Sequence, residues 1–386
     1  MSEWKKVKLD DCLELITYGF TNPMPDTLSG PWKVTAKDIN NGRIVFETAR
    51  HTSQEAFDND LTDKSRPKKG DILLTKDGTL GRLAIVGDER VCINQSVALL
   101  RVNKDILSVP YLYYLLSTPL YQAKMLADAG GAAIKHIYIT RVNQLLIPCP
   151  SYDEQCRIAI ILSRYDSLIE NHQKQIKLLE EAAQRLYKEW FVDLHFPGHE
   201  NTKIVDGVPE GWEKKKLDSF CNVFTGKKNA NQGVPNGEYK FFTCGDTPLL
   251  INSFIYDGPA IIISGNGSYT GRTTFYEGKF DLYQRTYACT IKDINYCDLI
   301  YGLYEIVKCE LTNKISGGTH GAAIPYIVMS DLTKFDFLYN ESIMHSFSTT
   351  IKNLLSISLK LSDNIRLLTE ARDRLLPKLM SGEIAV

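Results

Sequence analysis

The sequence predicts an α/β (α+β) fold with a pseudo-twofold internal repeat, in which two long helices that form an antiparallel coiled coil separate two globular domains. Three observations lead to this prediction. The two halves of the chain match at a nearly constant offset, and the first part of each half mixes short β-branched runs with helical segments. The last part of each half has apolar residues at coiled-coil spacing. Because 386 residues exceed what one hydrophobic core usually supports, two or more domains are expected.

The internal repeat is recognised from matches that keep their order along the chain. These matches are Gly81-Arg82 with Gly271-Arg272, Gln95 with Gln284, GAAI at 131–134 with GAAI at 321–324, and Glu181-Ala182 with Glu370-Ala371. The offset is 189 or 190 residues in each of them. Near the start of the chain Trp4 corresponds to Trp212 at an offset of 208, so the loops before position 81 differ in length. A nearly constant offset at several separate places indicates duplication of one structural unit.

Globular domains are predicted at 1–150 and 199–340. Runs rich in β-branched and aliphatic residues, bounded by Gly, Asn, Asp or Pro, predict strands. The strands predicted in this way are 71–75, 82–86 and 97–102 in the first domain and 259–264 and 287–291 in the second. The stretches 109–127 and 298–310 are predicted to be helices. Each half therefore starts with a mixed α/β domain.

Helical regions are predicted at 151–198 and 341–386, where the apolar period changes. Seam residues recur in steps of four and three from Ile158 to Trp190, and the second region repeats this spacing from Phe347 to Leu379. The principal seam residues are Leu162, Ile169, Ile176, Leu179 and Leu186 in the first region and Ile351, Leu354, Leu361, Ile365, Leu368 and Leu375 in the second. Since neither stripe can bury itself alone, the two most simply pack on each other. At 1.5 Å per residue, 158–190 makes a rod of roughly 48 Å.

Composition and charge exclude several classes of protein. The chain carries 45 basic and 46 acidic residues for a formal charge of -1, which argues against a polycation that coats nucleic acid. Any nucleic-acid surface would be local, and basic residues do cluster at 5–8, 64–69 and 214–228, although each cluster alone is more often a solvated surface. The sequence has no signal-peptide core and no apolar run of membrane-spanning length. We therefore expect a cytoplasmic protein with no membrane partner.

Catalytic and metal-binding motifs are missing from the sequence. There is no G-x-x-x-x-G-K-[ST] phosphate loop and no N-P-P-Y-like adenine-methyltransferase motif. His195 and His199 have a spacing that suits one metal on a helix, but Pro197 and Gly198 interrupt such a helix, so a linker is the stronger interpretation. We expect no catalytic residue and no metal ligand.

The two halves resemble the specificity subunits of type I restriction-modification systems over nearly all 386 residues. The strings that carry the resemblance are WKKVKLDD (4–11) with WEKKKLDS (212–219), KDGTLGR (76–82) with NGSYTGR (266–272), and GGAAIKHI (130–137) with HGAAIPYI (320–327). The long helical string at 152–193 resembles the central region of that family, and RDRLLPKLMSGEI (372–384) resembles its C-terminal end. These last two strings are the most specific.

The resemblance implies a subunit without a catalytic site that reads a split double-stranded DNA target, each globular domain reading one half-site while the helices set the gap. It also implies docking of two modification subunits, which bring S-adenosylmethionine, and of restriction subunits, which bring ATP hydrolysis, Mg and cleavage. No cofactor is then expected in this chain, whose place would be the cytoplasm of a prokaryote. Half-sites about one helical turn apart suit a rod of this length.

Candidate DNA contacts follow from matched positions in the two domains. Arg82 and Arg272 follow a Gly in a turn, where an Arg reaches guanine O6 and N7 or a phosphate, but a surface ion pair fits equally well. Gln95 and Gln284 could pair with adenine, although an amide that holds backbone is somewhat favoured. The further candidates are Lys76, Lys135, His136, Asn266, Arg285 and His320. Base-reading positions should differ between half-sites, so residues identical in both halves suit structural or phosphate contacts as well.

Two functions of other classes remain open from the sequence. One is a stand-alone DNA-binding protein of repressor type, in which the helices are only an internal spacer. The other is a DNA-modifying enzyme with an unrecognised site, for which Asp71, Lys76 and Asp77 are a superficial nuclease-like cluster. The comparable region of the second half carries no such cluster, so a structural role for these residues is favoured.

Overall fold

The computed structural model describes residues 4–127, 136–316 and 326–386. Within these residues the chain divides into two units. Unit 1 contains the chain up to Asn171 together with Asn364–Val386, and unit 2 contains His172–Asp363. Each unit therefore combines one globular part with segments of both long helices. The predicted helix-and-sheet composition and the two long helices are confirmed.

Unit 1 consists mainly of short strands followed by helices. Its strands are β1 (Lys6–Lys8), β2 (Leu13–Tyr18), β3 (Thr27–Val34), β4 (Ile39–Asn40), β5 (Arg43–Ile44), β6 (Arg50–His51), β7 (Ile72–Thr75), β8 (Leu83–Ile85), β9 (Val91–Ile93), β10 (Val97–Val102) and β11 (Leu146–Pro148). Its helices are α1 (Gln54–Asn59), α2 (Val109–Ser117), α3 (Pro119–Ala127), α4 (Ile139–Val142) and the first part of α5 (Tyr152–Tyr187).

The core of unit 1 lies on both faces of an antiparallel sheet with the order β2-β10-β7-β8. Strand β7 shows why both faces are buried: Ile72 and Leu74 pack with the helices, while Leu73 points into a second cluster with Val34 and Ile93. Side chains alternate between the two faces of a strand, so a continuous apolar run covers both. A separate sheet, β6-β3-β9, encloses the second cluster.

The two long helices pair within unit 1 through the start of α5 and the end of the last helix, α8 (Glu341–Ser381). Ile158 and Leu162 share one buried cluster with Leu376 and Leu379. Beside it, the Arg372 guanidinium donates to Asp166 Oδ1 at 2.6 Å, and the Tyr114 hydroxyl donates to Asp166 Oδ2 at 2.6 Å. Early residues of one helix thus meet late residues of the other, as the antiparallel prediction requires.

Unit 2 repeats this organisation with longer strands. Its strands are β12 (Ile204–Val205), β13 (Val208–Pro209), β14 (Glu213–Lys216), β15 (Cys221–Thr225), β16 (Tyr239–Phe242), β17 (Leu249–Ile251), β18 (Tyr256–Ser264), β19 (Thr273–Leu282), β20 (Thr286–Ile291) and β21 (Asp336–Tyr339). Its helices are α6 (Leu299–Ser316), α7 (Met329–Thr333), the last part of α5 and the first part of α8, and a π-helical turn at Lys188–Val192 directly continues α5.

The sheet of unit 2 has six strands in the order β15-β20-β18-β19-β16-β17. The order β15-β20-β18-β19 corresponds to β2-β10-β7-β8 of unit 1, and the parallel pair β16–β19 corresponds to β3–β9. The difference is that β19 runs without interruption where unit 1 has the two strands β8 and β9. In unit 2 the long strand β19 therefore joins into one sheet the strands whose counterparts in unit 1 form two separate sheets.

The helices of unit 2 pair through the end of α5, together with the π-helical turn that follows it, and the start of α8. Ala183, Tyr187 and Phe191 share one buried cluster with Phe347 and Ile351. Late residues of α5 here meet early residues of α8, which is again the antiparallel direction. All of the predicted seam positions on α5 and α8 are buried or half-buried.

Among the predictions of local structure, one is corrected, one is confirmed and one lies outside the described residues. The helix predicted at 109–127 is two helices, because Thr118 is extended (ψ 147°) before Pro119, whose ring disfavours a helical residue in front of it. The helix predicted at 298–310 is confirmed and extends to Ser316. The matched GAAI strings lie outside the described residues.

Candidate nucleic-acid interface

Three backbone segments meet at one end of the four-stranded sheet of unit 1. The turn after β7 closes when Gly81 N donates to Thr75 O and Thr75 N donates to Arg82 O, both at 2.9 Å. Lys76 N donates to Ser96 O in the turn before β10, and Ile137 N donates to Lys76 O, both at 2.9 Å. We call residues 75–82, 94–97 and 136–137 the turn frame of unit 1.

The same bonds recur in unit 2. Gly271 N donates to Ser264 O at 2.8 Å, and Ser264 N donates to Arg272 O at 3.0 Å. Gly265 N donates to Arg285 O at 2.9 Å, and Ile327 N donates to Gly265 O at 2.8 Å. Residues 264–272, 283–286 and 326–327 form the turn frame of unit 2. The duplication therefore extends to individual backbone hydrogen bonds.

A matched glycine closes the turn in both frames. Gly81 has φ +79° and Gly271 has φ +84°, a left-handed conformation that side chains disfavour. A Cβ on Gly81 would also lie 2.4 Å from Gln122 Oε1, and Gln122 Nε2 donates to Gly81 O at 2.9 Å. The glycines that revealed the repeat are thus required by the backbone of the turn.

The frame of unit 1 carries a charged cluster. The Lys76 ammonium donates to Asp77 Oδ2 at 2.7 Å, and His136 Nδ1 lies 2.5 Å from Asp77 Oδ1. Partial burial raises the pKa of Asp77, but the hydrogen bonds from Lys76 and His136 outweigh this effect and leave the pKa below its usual value. Lys76 Nζ also lies 5.3 Å from the ring centre of Tyr18, an exposed residue at the end of β2.

The frame of unit 2 has other side chains at these places. Asn266 and Tyr326 form the backbone bridge that Asp77 and His136 form in unit 1, and Gly265 replaces Lys76. A nearby lysine, Lys228, pairs with the buried carboxylate of Asp281 at 2.8 Å. The two frames thus share a backbone and differ in chemistry.

The two matched arginines turn toward their own domains. Arg82 Nη1 donates to the backbone oxygen of Ile39 at 3.0 Å. Arg272 donates to Asp246 Oδ1 and to Asp246 O, both at 2.7 Å, and lies over the Tyr269 ring at 4.7 Å. Each arginine therefore ties a neighbouring segment to the turn, and its use as a DNA contact stays a prediction.

The remaining candidates lie on exposed turns of the frames or outside the described residues. Gln95 and Gln284 are exposed, and Gln284 Nε2 donates to Asn229 Oδ1 at 3.2 Å. Arg285 is exposed beside Gln284, at the position of Ser96 in unit 1. Lys135 and His320 lie outside the described residues.

Tyr18 was not predicted as a site residue. It lies 58 residues before Lys76 in sequence, and its only signal was an aromatic residue at the end of an apolar run. The contact arises because β2 and β7 both pair with β10 in the sheet. The tertiary pairing of strands, rather than a local motif, joins them.

The nuclease-like interpretation of Asp71 has no geometric support. Asp71 is buried, and its carboxylate accepts from Arg101 Nε at 3.0 Å, from Arg101 Nη2 at 2.7 Å and from Lys68 N at 2.7 Å. Such a carboxylate is fully engaged in holding β7 to β10. No group of three or more potential metal ligands occurs among the residues that the structure describes. In the same residues no helix is long and apolar enough to cross a membrane.

Comparisons with known proteins match this two-copy organisation. The family described as Type I restriction modification DNA specificity domain matches residues 1–181 and 209–354. The type I restriction enzyme MjaIX specificity subunit of Methanocaldococcus jannaschii is 28% identical, over 92% of this chain and 87% of that protein. The EcoDI specificity subunit of Escherichia coli is 30% identical, over 46% of this chain and 39% of that protein.

A solved structure shares the fold over almost the whole length. The type I restriction-modification S subunit from M. genitalium superposes with a TM-score of 0.66, covering 98% of this chain and 96% of that one at 18% identity. The family match covers both copies of the repeat, including both turn frames and most of α5. The chain therefore belongs to the family of type I restriction-modification DNA specificity proteins.

Proposed function

We propose that this chain reads a bipartite double-stranded DNA target, that each unit contacts one half-site, and that the chain has no catalytic residue of its own. The observation that carries the proposal is the pair of turn frames. They share their backbone hydrogen bonds, yet they present Lys76, Asp77 and His136 in unit 1 where unit 2 presents Gly265, Asn266 and Tyr326. Two similar scaffolds with different polar side chains suit two different half-sites.

The chemistry of the frames suits bases better than a reaction. Amide, imidazole and guanidinium groups form hydrogen bonds with base edges in the major groove. Contacts with phosphates fix the position of a protein on the duplex but do not distinguish one sequence from another. The carboxylate of Asp77 is held by Lys76 and His136 rather than beside a second free carboxylate, as a nuclease or hydrolase pair would need. Recognition without catalysis is therefore the function that the described residues support best.

Exposed apolar residues on the long helices support docking of two copies of one partner. Leu168 on α5 corresponds to Ile357 on α8, and Leu178 corresponds to Leu367, each at an offset of 189. All four are exposed. Unit 1 contains Leu168 and Leu367, and unit 2 contains Leu178 and Ile357. Each unit thus carries one member of each matched pair, and exposed apolar groups on both helices suit a protein partner.

The partners that we propose are two modification subunits, which bind S-adenosylmethionine and methylate DNA, and restriction subunits, which supply ATP- and Mg-dependent cleavage. This chain would hold no cofactor and would act in the cytoplasm of a prokaryote. A near-neutral formal charge of -1 fits this division, because partner subunits can supply phosphate contacts while this chain supplies base contacts.

Docking is tested by substituting the duplicated apolar residues. The double variant Leu168→Asp, Leu367→Asp should reduce bound modification subunits from two to one, measured by mass photometry of the purified complex. Ile160→Asp is the matched control, because Ile160 is equally exposed on α5 but its counterpart is the polar Thr349. Unchanged stoichiometry in the double variant, or equal loss in the control, would contradict this docking surface.

Recognition is tested by sequencing the methylated DNA of a host that carries this chain and its modification partner. We expect one motif with two specified parts and an unspecified gap. Two other outcomes would replace the proposal. Turnover of DNA by the purified chain with S-adenosylmethionine or Mg²⁺ would make it an enzyme. Tight specific binding without a partner, together with no complex with a modification subunit, would favour a repressor-type protein.

A further inference from the structure

We propose that the bridge positions of the two turn frames, 77 with 136 in unit 1 and 266 with 326 in unit 2, are the positions at which the two units read different bases. This inference rests on the proposed function and names residues that carry its specificity. In unit 1 the reading group is the imidazole of His136, which Asp77 orients so that its Nε2 meets a base edge. In unit 2 the amide of Asn266 pairs with adenine.

The frames hold these four residues at equivalent places. An isolated antiparallel bridge joins Asp77 to His136 and Asn266 to Tyr326. The next residue along, Ile137 or Ile327, donates its N–H to the first residue of the turn in each unit. Since the backbone is the same, differences in what the frames contact must come from the side chains.

The orientation of His136 follows from the state of Asp77. The pKa of Asp77 lies below its usual value, so the carboxylate is ionised and only accepts hydrogen bonds. The proton between the two groups is therefore on His136 Nδ1, which donates to Asp77 Oδ1 at 2.5 Å. Nε2 is then the ring nitrogen that is left to meet a base edge. The side chain of His136 is 41% exposed, so a base edge can reach it.

Lys76 completes the support of this pair. Its ammonium occupies the other carboxylate oxygen of Asp77 and lies over the ring of Tyr18. Both oxygens of Asp77 are then engaged, and the carboxylate cannot turn away from His136. Asp77 is accordingly a positioning residue, and His136 is the group that meets the base.

Asn266 offers a different pattern in unit 2. An amide has one acceptor and two donors, which match N6 and N7 of adenine together. By contrast, the exposed Gln95 and Gln284 are identical in the two frames. Identical residues cannot distinguish two half-sites, so the bridge positions are better placed than the glutamines to carry the difference.

The test measures binding of DNA duplexes to the complex of this chain with its modification partner. Fluorescence anisotropy competition compares the target duplex with duplexes that carry single base-pair changes across both half-sites. His136→Ala should lose about tenfold discrimination at one base pair of one half-site, and Asn266→Ala should do so only in the other half-site. Asp77→Asn should relax the same base pair as His136→Ala, and the double variant should be no worse than His136→Ala alone.

Controls separate reading from folding. His345→Ala removes an exposed histidine of α8, and Asp88→Asn removes an exposed aspartate of unit 1. Both should leave discrimination unchanged at every base pair. If His136→Ala lowers the melting temperature, His136→Tyr replaces it, because the frame of unit 2 holds a tyrosine at this place. It should relax the same base pair.

The outcomes are distinguishable. If the unsubstituted complex binds a bipartite target and the folded variants keep full discrimination, the assignment of the bridge positions is wrong while the proposed function stands. Loss in both half-sites from one variant would equally overturn it. If the unsubstituted complex shows no bipartite target, the proposed function itself fails and this inference with it.

Discussion

Replacing Phe347 by alanine tests whether an aromatic cluster holds the start of α8 in the core of unit 2. We call Phe347, Phe191 and Trp190 the aromatic seam. Phe347 is fully buried. Its ring centre lies 4.9 Å from that of Phe191, with an angle of 66° between the ring planes, and 5.9 Å from that of Trp190. A Cβ on Gly302 of α6 would lie 3.1 Å from the Phe347 ring. Helix α6 therefore packs closely against the same side chain, and little room exists for the site to collapse after truncation.

The expected loss follows from this packing. Removing a buried phenylalanine ring costs about 3–5 kcal/mol of unfolding free energy, since both transfer and cavity terms contribute. For a unit of this size that corresponds to a fall of roughly 6–20 °C in melting temperature. Differential scanning calorimetry and urea unfolding of the full chain measure the two quantities.

Phe254 provides the matched control. It is a phenylalanine of the same unit that is 46% exposed, with an edge-on contact to Tyr239 at 5.2 Å and the Lys279 ammonium 4.9 Å from its ring centre. Phe254→Ala should cost no more than about 1 kcal/mol. A loss below about 1 kcal/mol for Phe347→Ala, or equal losses for the two variants, would refute the aromatic seam.

Three further predictions, one of them with a matched glycine variant, test other parts of the fold. Asp71→Ala should cost about 3–5 kcal/mol in urea unfolding because it leaves the Arg101 guanidinium without its buried partner, and a cost below about 1 kcal/mol would contradict that pairing. Gly19→Ala should give no folded protein by circular dichroism, since its Cβ would lie 1.7 Å from a backbone oxygen at the end of β9; Gly78→Ala, with φ +77° and open space, should cost only about 1–2 kcal/mol. Burial raises the pKa of Glu305, so the folded state holds this proton more tightly than the unfolded chain, and the residue's contribution to stability falls as pH rises through its folded pKa. Glu305→Gln should therefore raise the urea midpoint at pH 8 more than at pH 5, and an equal shift at both would be inconsistent with that pKa.

The architecture was predictable because its signals are periodic. The seam in steps of four and three predicts the long helices, and the β-branched runs predict the strands, because both patterns are local. The offset of 189 or 190 residues between matched strings is read directly from the sequence. The exception at Thr118 is also local, since a proline follows it. The fusion of two strands into β19 was not predictable, because strand length depends on pairing partners elsewhere in the sheet.

The candidate site was predictable only in part. Lys76, His136 and Asn266 were found because they lie in or beside matched strings, but Asp77 was recognised only as part of a nuclease-like group. The hydrogen bond between Asp77 and His136 joins residues 59 apart, and that of Arg82 to Ile39 joins residues 43 apart. Such partners are fixed by strand order, which no local motif encodes. A matched arginine is therefore as well explained by anchoring a loop as by contacting DNA.

The most direct test of the central claim exchanges residues 1–150 with the corresponding segment of a relative that modifies a different target. Sequencing of methylated DNA then reads the motif of the chimera in a host with the modification partner. We predict that one half of the bipartite motif changes to that of the relative while the other half and the gap stay the same. A change in both halves, or in the gap, would contradict the assignment of one half-site to each unit.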